Sequence, residues 1–457
     1  MRLLIVANDV VSRTMAGPGI RCYELGHQLS LAGHTVTIAG IGQTDLAPGE
    51  MTIRPPLSET AMEHLAASQD AVLLEGLALA RYGTLRHLDL PLIVDLYDPF
   101  PLALLEQEAL RPLGEQQARS GRIQKAIKDL LAVGDFFLCA SERQRDLWIG
   151  SLLLANRINP DTWRQDSTLR RLIDVVPFGV SSASLPERRP LSREVMGPRV
   201  GNADLVLLWG GGIYNWFDPL TLLRAVARVV PTVPNLKLVF MSTSHPQEGV
   251  PERMWMPART RELSDQLDLT DKHVIFHEGW VDYTDRGVWL AAADCGVSTH
   301  FDHAETRYSF RTRILDYIWA GLPIICTAGD VCADLVREQR LGWVVPAGDD
   351  SAIASAIQAL ASNSAERDGM AVNVRAAAAR MTWPQVVEPL LKYCEAPTRA
   401  ADSSARVRTR ERAATAGTAR VTAATQLFQV GINTLRTDGA RAAARRAVRW
   451  WVRRHPH

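Results

Sequence analysis

The sequence predicts an α/β protein of two doubly wound, Rossmann-like domains that face a cleft, followed by a basic C-terminal tail. Three observations predict this class. Short apolar, β-branched runs alternate with helical patterns, and the series occurs twice along the 457 residues. A polar, proline-rich stretch separates the two series. The chain is long enough for two or three domains, each with its own core.

The N-terminal domain, assigned to residues 1–180, is predicted from six apolar runs that are typical of buried parallel strands. These runs are RLLIVAN, HTVTIAG, AVLLEG, LPLIVDLYD, DFFLCAS and IDVVPFGV. Helical segments lie between them, such as GIRCYELGHQLSLAG, which ends at Gly33. This alternation predicts a doubly wound sheet.

The C-terminal domain, assigned to residues 203–380, follows a linker at 181–202 and repeats the pattern. Its strands are predicted in LVLLWGGG, LKLVFMST, HVIFHEG, CGVSTHF, LPIICTAG and GWVVPAG. A closing helix is assigned to 381–397, where MTWPQVVEPLLKYC is amphipathic. Because the carboxyl ends of both sheets can face the space between the domains, we expect a ligand-binding cleft there.

The composition is that of a soluble globular protein, with 47% apolar and 22% charged residues. The net charge of +1 is unevenly distributed. Residues 400–457 carry twelve arginines against three carboxylates, a balance of +9, which leaves −8 for the rest of the chain. A partner is therefore expected for the tail, residues 398–457, rather than for the acidic body, and nucleic acid is not expected as a partner.

Residues 426–457 of the tail combine apolar and basic residues with Trp450 and Trp451. This pattern suits an anionic membrane surface, while a disordered tail and a helix docked on another protein are the alternatives. No apolar run approaches the roughly 20 residues of a membrane-spanning helix, and MRLLIVAND predicts a buried strand rather than a signal peptide. The expected location is the cytoplasm, on the inner face of the membrane if the tail binds there.

The six cysteines are scattered along the chain, and no pair has CxxC spacing. Cys295 and Cys326 lie in predicted strands, so buried thiols are expected rather than disulfides or a zinc site. No cluster of His, Asp and Glu has ligand spacing either, and the predicted chemistry requires no cofactor metal.

The segment FDHAETRYSFRTRILDYIWAGLPIICT, at Phe301–Thr327, concentrates charge ahead of an apolar helix and strand. Its charged and histidine side chains after Asp302 are His303, Glu305, Arg307, Arg311, Arg313 and Asp316. Arginines fit phosphate oxygens, and carboxylates fit sugar or ribose hydroxyls. The simplest ligand with both features is a nucleotide diphosphate sugar. A solvated helix face, with Arg313 paired to Asp316, is the alternative.

Two glycine-rich turns follow predicted strands. Gly17 and Gly19 precede the first helix, and Gly211 and Gly212 follow the first strand of the second domain. Backbone N–H groups at such turns can approach phosphate oxygens, helped by a helix N-terminus. These four glycines are therefore candidates to bind the diphosphate. A plain strand-to-helix turn and close backbone packing are the alternatives.

Further candidates stand at the ends of other predicted strands. Trp216 is a candidate wall of the sugar pocket. Tyr97 and Asp98 are candidates beside the sugar or acceptor, where Asp98 is either a base or the start of an Asp-Pro turn. The candidates to flank the nucleotide base are His277, Glu278 and Trp280.

Five segments of the chain occur in the order of a known family. They are AGPGIRCYELGHQLSLAGHTV, VVPFGV, LLWGGGIYNWFDPLTLLRAV, ILDYIWAGLPIICTAGDVCADLV and LGWVVPAGDDSAIASAI. Over Met1–Cys394 the chain resembles the GT-B glycosyltransferases, in particular the large retaining family four. The resemblance implies the GT-B fold, with the acceptor on the N-terminal domain and the nucleotide-sugar donor on the C-terminal domain. It implies transfer of a sugar to an acceptor hydroxyl with retention of configuration, and a surface-polysaccharide or lipid-linked acceptor would account for a membrane-binding tail.

The resemblance also suggests which residues act on the donor. Asp316 stands where the family has the glutamate that holds the ribose hydroxyls. Tyr308, eight residues earlier, replaces the family's other glutamate. The nearest carboxylate is Glu305, which is the candidate catalytic group together with His303 and Asp302.

The family's basic residues are missing from the glycine loop of the second domain. Arg311 and Arg313 are the substitutes that would neutralise the departing diphosphate. Because of these departures, a non-catalytic GT-B subunit that binds nucleotide sugar or a partner transferase is the main alternative. An epimerase or phosphorylase is a third, although the scarcity of lysine argues against a phosphorylase.

Overall fold

The N-terminal domain of the computed structural model contains a seven-stranded sheet in which all strand pairs are parallel. The structure describes residues 1–46, 49–185, 190–243, 245 and 254–403. The strands are β1 (Arg2–Val6), β2 (Thr35–Ala39), β3 (Thr52–Arg54), β4 (Ala71–Glu75), β5 (Leu92–Asp95), β6 (Phe136–Cys139) and β7 (Ile173–Val175). Their order across the sheet is β3-β2-β1-β4-β5-β6-β7.

Helices cover both faces of this sheet. They are α1 (Gly17–Leu31), α2 (Glu59–Ala67), α3 (Ala78–Arg81), α4 (Phe100–Gln107), α5 (Leu113–Val133), α6 (Glu142–Leu154) and α7 (Pro160–Gln165), with a 3-10 turn at Gly83–His87. A second 3-10 turn, Pro190–Met196, lies in the predicted linker. In β1, Leu3 and Ile5 pack into one core while Leu4 and Val6 pack into another, and all four are fully buried. A strand covered on both faces must be apolar throughout, which is why the run is continuous.

The C-terminal domain contains a six-stranded parallel sheet. Its strands are β8 (Leu205–Trp209), β9 (Leu236–Phe240), β10 (Val274–Phe276), β11 (Cys295–Ser298), β12 (Ile324–Thr327) and β13 (Gly342–Val345). Their order is β10-β9-β8-β11-β12-β13. The helices are α8 (Pro219–Val229), α9 (Met256–Gln266), α10 (Arg286–Ala291), α11 (Ala304–Tyr308), α12 (Thr312–Trp319), α13 (Val331–Glu338), α14 (Asp350–Ser362) and α15 (Ser364–Ala378).

The predicted fold class is confirmed, because both sheets are parallel, doubly wound and covered by helices. All twelve apolar runs named above contain strands, whereas β3 was missed. This strand has only three residues at the edge of the sheet, and two of them are exposed. It therefore carries no apolar run that a sequence pattern could detect. The domain boundaries given above remain predictions.

The chain returns to the N-terminal domain through α16 (Trp383–Val386) and α17 (Glu388–Glu395). The predicted single closing helix is divided there, since Pro389 stands at the start of α17 and has no N–H to continue α16. Trp383 packs on Gly179, where a Cβ would lie only 2.5 Å from the Trp383 Cα. The Tyr393 ring stacks on Phe136 with centroids 4.4 Å apart. These contacts fasten the end of the second domain to the first.

Direct polar contacts also join the two domains beside the cleft. Arg13 forms an ion pair with Asp282 at 2.8 Å, and the Tyr283 N–H donates to the Arg13 carbonyl at 2.7 Å. On another edge, Gln144 Nε2 donates to the carbonyls of Tyr97 and Tyr308 at 2.6 and 2.8 Å. These contacts hold the two domains together within one compact unit, Met1–Ala400.

None of the helices in the described ranges has both the length and the apolar character needed to cross a bilayer. The tail segment 426–457 lies outside the described residues, so its predicted membrane contact stays a prediction.

Candidate functional site

The cleft between the two sheets has a volume of about 510 Å³ and is lined by residues from both domains. Its N-terminal wall follows β1, β4 and β5, and its C-terminal wall is formed by the loop after β8 together with α12. Ligands of open α/β sheets bind at these carboxyl ends. The cleft is therefore the candidate site.

The glycine loop after β8, Gly210–Gly212, is held in place by Tyr317 of α12. The Gly210 N–H donates to Tyr317 Oη at 2.8 Å, and Tyr317 Oη also lies 2.8 Å from the Val297 carbonyl. Gly211 adopts a φ of +76°, which favours glycine. The Gly212 carbonyl accepts from Trp209 Nε1 at 3.2 Å. The candidate glycines 211 and 212 thus line the cleft with their backbone held in place.

Arg313 reaches this loop from the first turn of α12. Its Nη2 donates to the Gly212 carbonyl at 2.9 Å, and its guanidinium lies over the rings of Phe217 and Trp209 at 4.0 and 4.5 Å. The residue is only 7% exposed, and Nη1 is buried without a hydrogen-bond partner in the described residues. No carboxylate of the described chain pairs with it within 4 Å. Burial lowers the pKa of Arg313 to about 10, so it remains a cation at neutral pH.

Arg311 is bound to Glu305 instead of facing the cleft as a free cation. Nη1 lies 3.0 Å from Oε1 and Nη2 lies 2.6 Å from Oε2, and both residues are almost fully buried. Burial acts to lower the pKa of Arg311, but Glu305 and Asp330 outweigh it, so the pKa is raised. Glu305 also accepts from Ser309 Oγ. Both candidate residues line the cleft, but as a neutralised pair.

A second buried carboxylate lies behind this pair. Asp330 is 3.7 Å from Arg311 Nε, 3.0 Å from His300 Nε2, and accepts the Ala333 N–H at the start of α13. Thr327 Oγ1 lies 3.0 Å from the other ring nitrogen of His300. Arg311 is thus held between two carboxylates, which fixes the orientation of Glu305.

Neither His303 nor Asp302 lines the cleft. His303 is the N-cap of α11, where its Nδ1 accepts the Thr306 N–H at 3.2 Å. Asp302 is exposed. Among the three candidate catalytic residues, only Glu305 faces the cavity, and the catalytic assignments remain predictions.

Asp316 lies at the cleft with about a third of its side chain exposed, 34%, and Arg286 Nε is 3.3 Å from its Oδ1. Arg286 begins α10 and lies over the Tyr283 ring at 3.7 Å. Two of its nitrogens, Nε and Nη1, lack hydrogen-bond partners in the described residues. Arg286 was missed by the sequence analysis, because a single arginine on an ordinary helix start gives no motif.

The three candidates beside a nucleotide base separate into two groups. Trp280 lines the cleft and donates through Nε1 to the Met15 carbonyl at 3.3 Å. His277 packs against Trp289, and Glu278 is exposed and paired with Arg261, so neither lies on the cleft wall. His245, which was not predicted, lies 5.6 Å from the Trp280 ring, and burial lowers its pKa to about 4.

Trp216 and Gly17 line the cleft, whereas Gly19 does not. Trp216 lines the cleft and stacks on Tyr214, with centroids 5.0 Å apart. Gly17 begins α1 at the cleft, and a Cβ there would be 4.0 Å from Tyr97 Oη. Gly19 is packed against the backbone, since its Cβ would lie 2.2 Å from the Val10 carbonyl oxygen.

The N-terminal wall is acidic. Tyr97 and Asp98 follow β5, and burial together with the nearby Glu305 raises the pKa of Asp98 to about 7. Asp9 follows β1, and Glu75 ends β4. Asp9 and Glu75 were missed, although a glutamate closing the apolar run AVLLEG is a signal that was available in the sequence.

All six cysteines are buried thiols. Within the described residues, no group of three His, Cys, Asp or Glu side chains is arranged to hold a metal ion.

The comparisons with known proteins agree with this architecture. Residues 204–363 match the family model described as Glycosyl transferases group 1. No curated protein sequence matches the chain significantly.

Solved structures share the fold at low identity. Sucrose-phosphate synthase from Thermosynechococcus elongatus has a TM-score of 0.63 and 17% identity, over 86% of this chain and 98% of that one. WaaG, a glycosyltransferase involved in lipopolysaccharide biosynthesis, has a TM-score of 0.61 and 15% identity, over 85% and 98%. HepE from Anabaena, in complex with UDP and glucose, has a TM-score of 0.61 and 15% identity, over 86% and 98%.

These matches confirm the GT-B fold and the glycosyltransferase class, and they do not single out family four. The chain therefore has the GT-B fold, and its residues 204–363 match the model of the group 1 glycosyl transferases.

Proposed function

We propose that this protein transfers a sugar from a nucleoside diphosphate sugar, bound in the cleft, to an acceptor hydroxyl. The observation that carries the proposal is Arg313, a buried cation on the cleft wall whose Nη1 has no partner in the described residues. Burying a guanidinium without a counter-ion is costly, whereas an anion that enters the cleft would satisfy it. A diphosphate supplies that anion and hydrogen-bonds well to arginine.

The surroundings of Arg313 support a sugar nucleotide rather than a simple anion. Gly211 and Gly212 line the cleft beside Arg313. Helix α1 begins at Gly17 on the other wall of the cleft, and a helix N-terminus favours a negatively charged ligand. The partly exposed Asp316 would accept hydrogen bonds from the ribose hydroxyls. Trp280 would pack on the base. HepE and the trehalose-6-phosphate synthase of E. coli have been solved with UDP or UDP-sugars, so UDP is the first nucleotide to test.

The transfer breaks the bond between the anomeric carbon and the diphosphate oxygen while the acceptor oxygen attacks. Positive charge develops on the sugar ring and negative charge on the departing diphosphate. Arg313 would stabilise that departing charge, with Arg286 as a second cation on the same wall. Glu305, neutralised by Arg311, would orient sugar hydroxyls rather than act as a free charge. Asp98, whose pKa is raised to about 7, would act as the general base that accepts the proton of the attacking hydroxyl.

Retention of anomeric configuration is proposed from the resemblance to family four, and NMR of the product anomer tests it.

We further propose a role in bacterial surface polysaccharide or glycolipid assembly at the inner face of the membrane. The role of WaaG in lipopolysaccharide biosynthesis and the +9 charge of residues 400–457 support this proposal. Vesicle binding with and without residues 426–457 tests the membrane contact.

Calorimetric titration of the full chain with UDP, GDP, ADP, CDP and TDP tests the donor site. We expect one nucleotide to bind, and Arg313→Gln to weaken its binding about 30–150-fold, since a charge-assisted hydrogen bond contributes roughly 2–3 kcal/mol. Arg224→Gln is the control, because Arg224 is exposed on α8 away from the cleft. No binding, or equal binding by the Arg313 variant, contradicts the proposal. Binding without turnover over a broad acceptor panel favours the non-catalytic alternative.

A further inference from the structure

Three neighbouring strands of the N-terminal sheet each deliver a carboxylate to the cleft. Asp9 follows β1, Glu75 ends β4 and Asp98 follows β5, and β1, β4 and β5 are adjacent in the sheet. These three side chains, the acidic wall, lie on the domain that the proposed function gives to the acceptor.

The described residues give the carboxylates of the acidic wall no cation at ion-pair distance, although Arg311 acts to lower the pKa of Asp98 against the raising effect of burial and Glu305. Asp9 is 2% exposed, and its Oδ1 accepts the Val10 N–H at 2.7 Å while Oδ2 is buried without a hydrogen-bond partner in the described residues. Glu75 is 4% exposed, and its Oε2 accepts the Asn8 N–H at 2.7 Å. No Arg, Lys or His of the described chain lies within 4 Å of the carboxylates of these residues or of Asp98.

Burial and mutual repulsion keep these carboxyls partly protonated. Burial raises the pKa of Glu75 to about 8, with further raising by Asp95, Asp9 and Asp98. Burial raises the pKa of Asp9 to about 6. An adjacent positive charge would favour the ionised forms and release protons.

The opposite wall of the same cleft carries Arg313 and Arg286, together with Glu305 and Asp316. On the N-terminal side Arg119 also lines the cleft, and it is paired with the buried Glu108 at 3.1 Å. A phosphate on the acceptor would be repelled by the acidic wall. A neutral polyol would hydrogen-bond to it but would leave its charge uncompensated, whereas an ammonium group would compensate that charge.

We propose that the acidic wall of Asp9, Glu75 and Asp98 binds an acceptor that carries an ammonium group beside its hydroxyls, such as an amino sugar. The proposal rests on the proposed function, because it takes the donor to occupy the arginine wall. It assigns the acceptor class, not the donor.

The test is calorimetric titration of the full chain, saturated with the nucleoside diphosphate that binds in the titration above, with three matched pairs: glucosamine and glucose, galactosamine and galactose, mannosamine and mannose. We expect at least one amine to bind about tenfold more tightly than its hydroxyl partner, the factor that about 1.4 kcal/mol provides. We also expect proton release, seen as a dependence of the binding heat on the ionisation enthalpy of the buffer. Neutral sugars should release no protons.

Glu75→Gln should reduce both the preference and the proton release while leaving the dependence of nucleotide binding on Arg313 in place. Glu63→Gln, at an exposed position on α2, is the matched control. Equal affinity within every pair, no binding by any amine, a preference that survives Glu75→Gln and Asp9→Asn, or tighter binding of glucose 6-phosphate would each overturn the proposal. If nucleotide binding still depends on Arg313 in that case, only the acceptor assignment fails. Loss of all nucleotide binding would instead remove the proposed function.

Discussion

Arg311 and Glu305 form a bidentate ion pair, with contacts of 3.0 and 2.6 Å, in which both partners are about 95% buried. Arg313, two residues further on, has no carboxylate partner within 4 Å in the described structure. Two arginines that the sequence analysis treated alike therefore have different surroundings. Arg311 completes a buried network, while Arg313 lines the cleft with its Nη1 buried and without a hydrogen-bond partner in the described residues.

Replacing Arg311 with Gln should destabilise the fold by about 3–5 kcal/mol, because Glu305 and Asp330 lose their buried cation. The free energy of unfolding in urea measures this change. Arg224→Gln, which removes an exposed arginine, should stay within about 0.5 kcal/mol of the original protein. Unchanged stability together with weaker nucleotide binding would mean that Arg311 contacts the diphosphate directly.

Replacing Arg313 with Met should lower nucleotide affinity without lowering stability, the opposite of the result expected for Arg311→Gln. The substitution removes a buried cation that no carboxylate compensates, so stability should be equal or higher, while nucleotide affinity should fall. The thermal shift that saturating nucleotide produces should also disappear, since ligand stabilisation follows affinity. A loss of several kcal/mol without ligand would contradict this account and would give Arg313 a structural role.

Much of the fold was predictable because strands covered on both faces must be apolar. Runs such as AVLLEG and LPLIVDLYD carry that requirement in sequence, whereas the short, exposed β3 does not. The site was less predictable, because its charged residues come from separate strands and helices that only the folded chain brings together. Asp9, Glu75 and Arg286 are far apart in sequence, and the pairing of Glu305 with Arg311 depends on the turn between α11 and α12.

The acidic wall predicts an unusual pH dependence of stability. Glu75 has a pKa of about 8 in the folded protein and an ordinary, lower value when unfolded, so the folded state binds more protons between those values. Stability should therefore fall as pH rises, by about 2 kcal/mol between pH 6 and pH 8 from this group alone. Urea unfolding at several pH values measures the slope.

Glu75→Gln should flatten that slope, because the amide does not titrate, and Glu63→Gln should leave it unchanged. Asp9, with a pKa of about 6, should add a similar fall at lower pH. Stability that rises from pH 6 to pH 8, or a slope that Glu75→Gln does not change, would be incompatible with protonated carboxyls on this wall.

Gly17 and Gly19 provide a matched pair at the start of α1. A methyl group on Gly19 would lie 2.2 Å from the Val10 carbonyl oxygen, so the backbone must shift, and Gly19→Ala should lower stability by about 1–3 kcal/mol. A methyl group on Gly17 has space, with its nearest contact 4.0 Å away at Tyr97 Oη, and it lies on the cleft wall. Gly17→Ala should keep the stability and lower nucleotide affinity if the diphosphate approaches this helix end. Unfolding curves and UDP titration of both variants separate the two roles, and normal affinity in folded Gly17→Ala would place the diphosphate on the Gly211–Gly212 side alone.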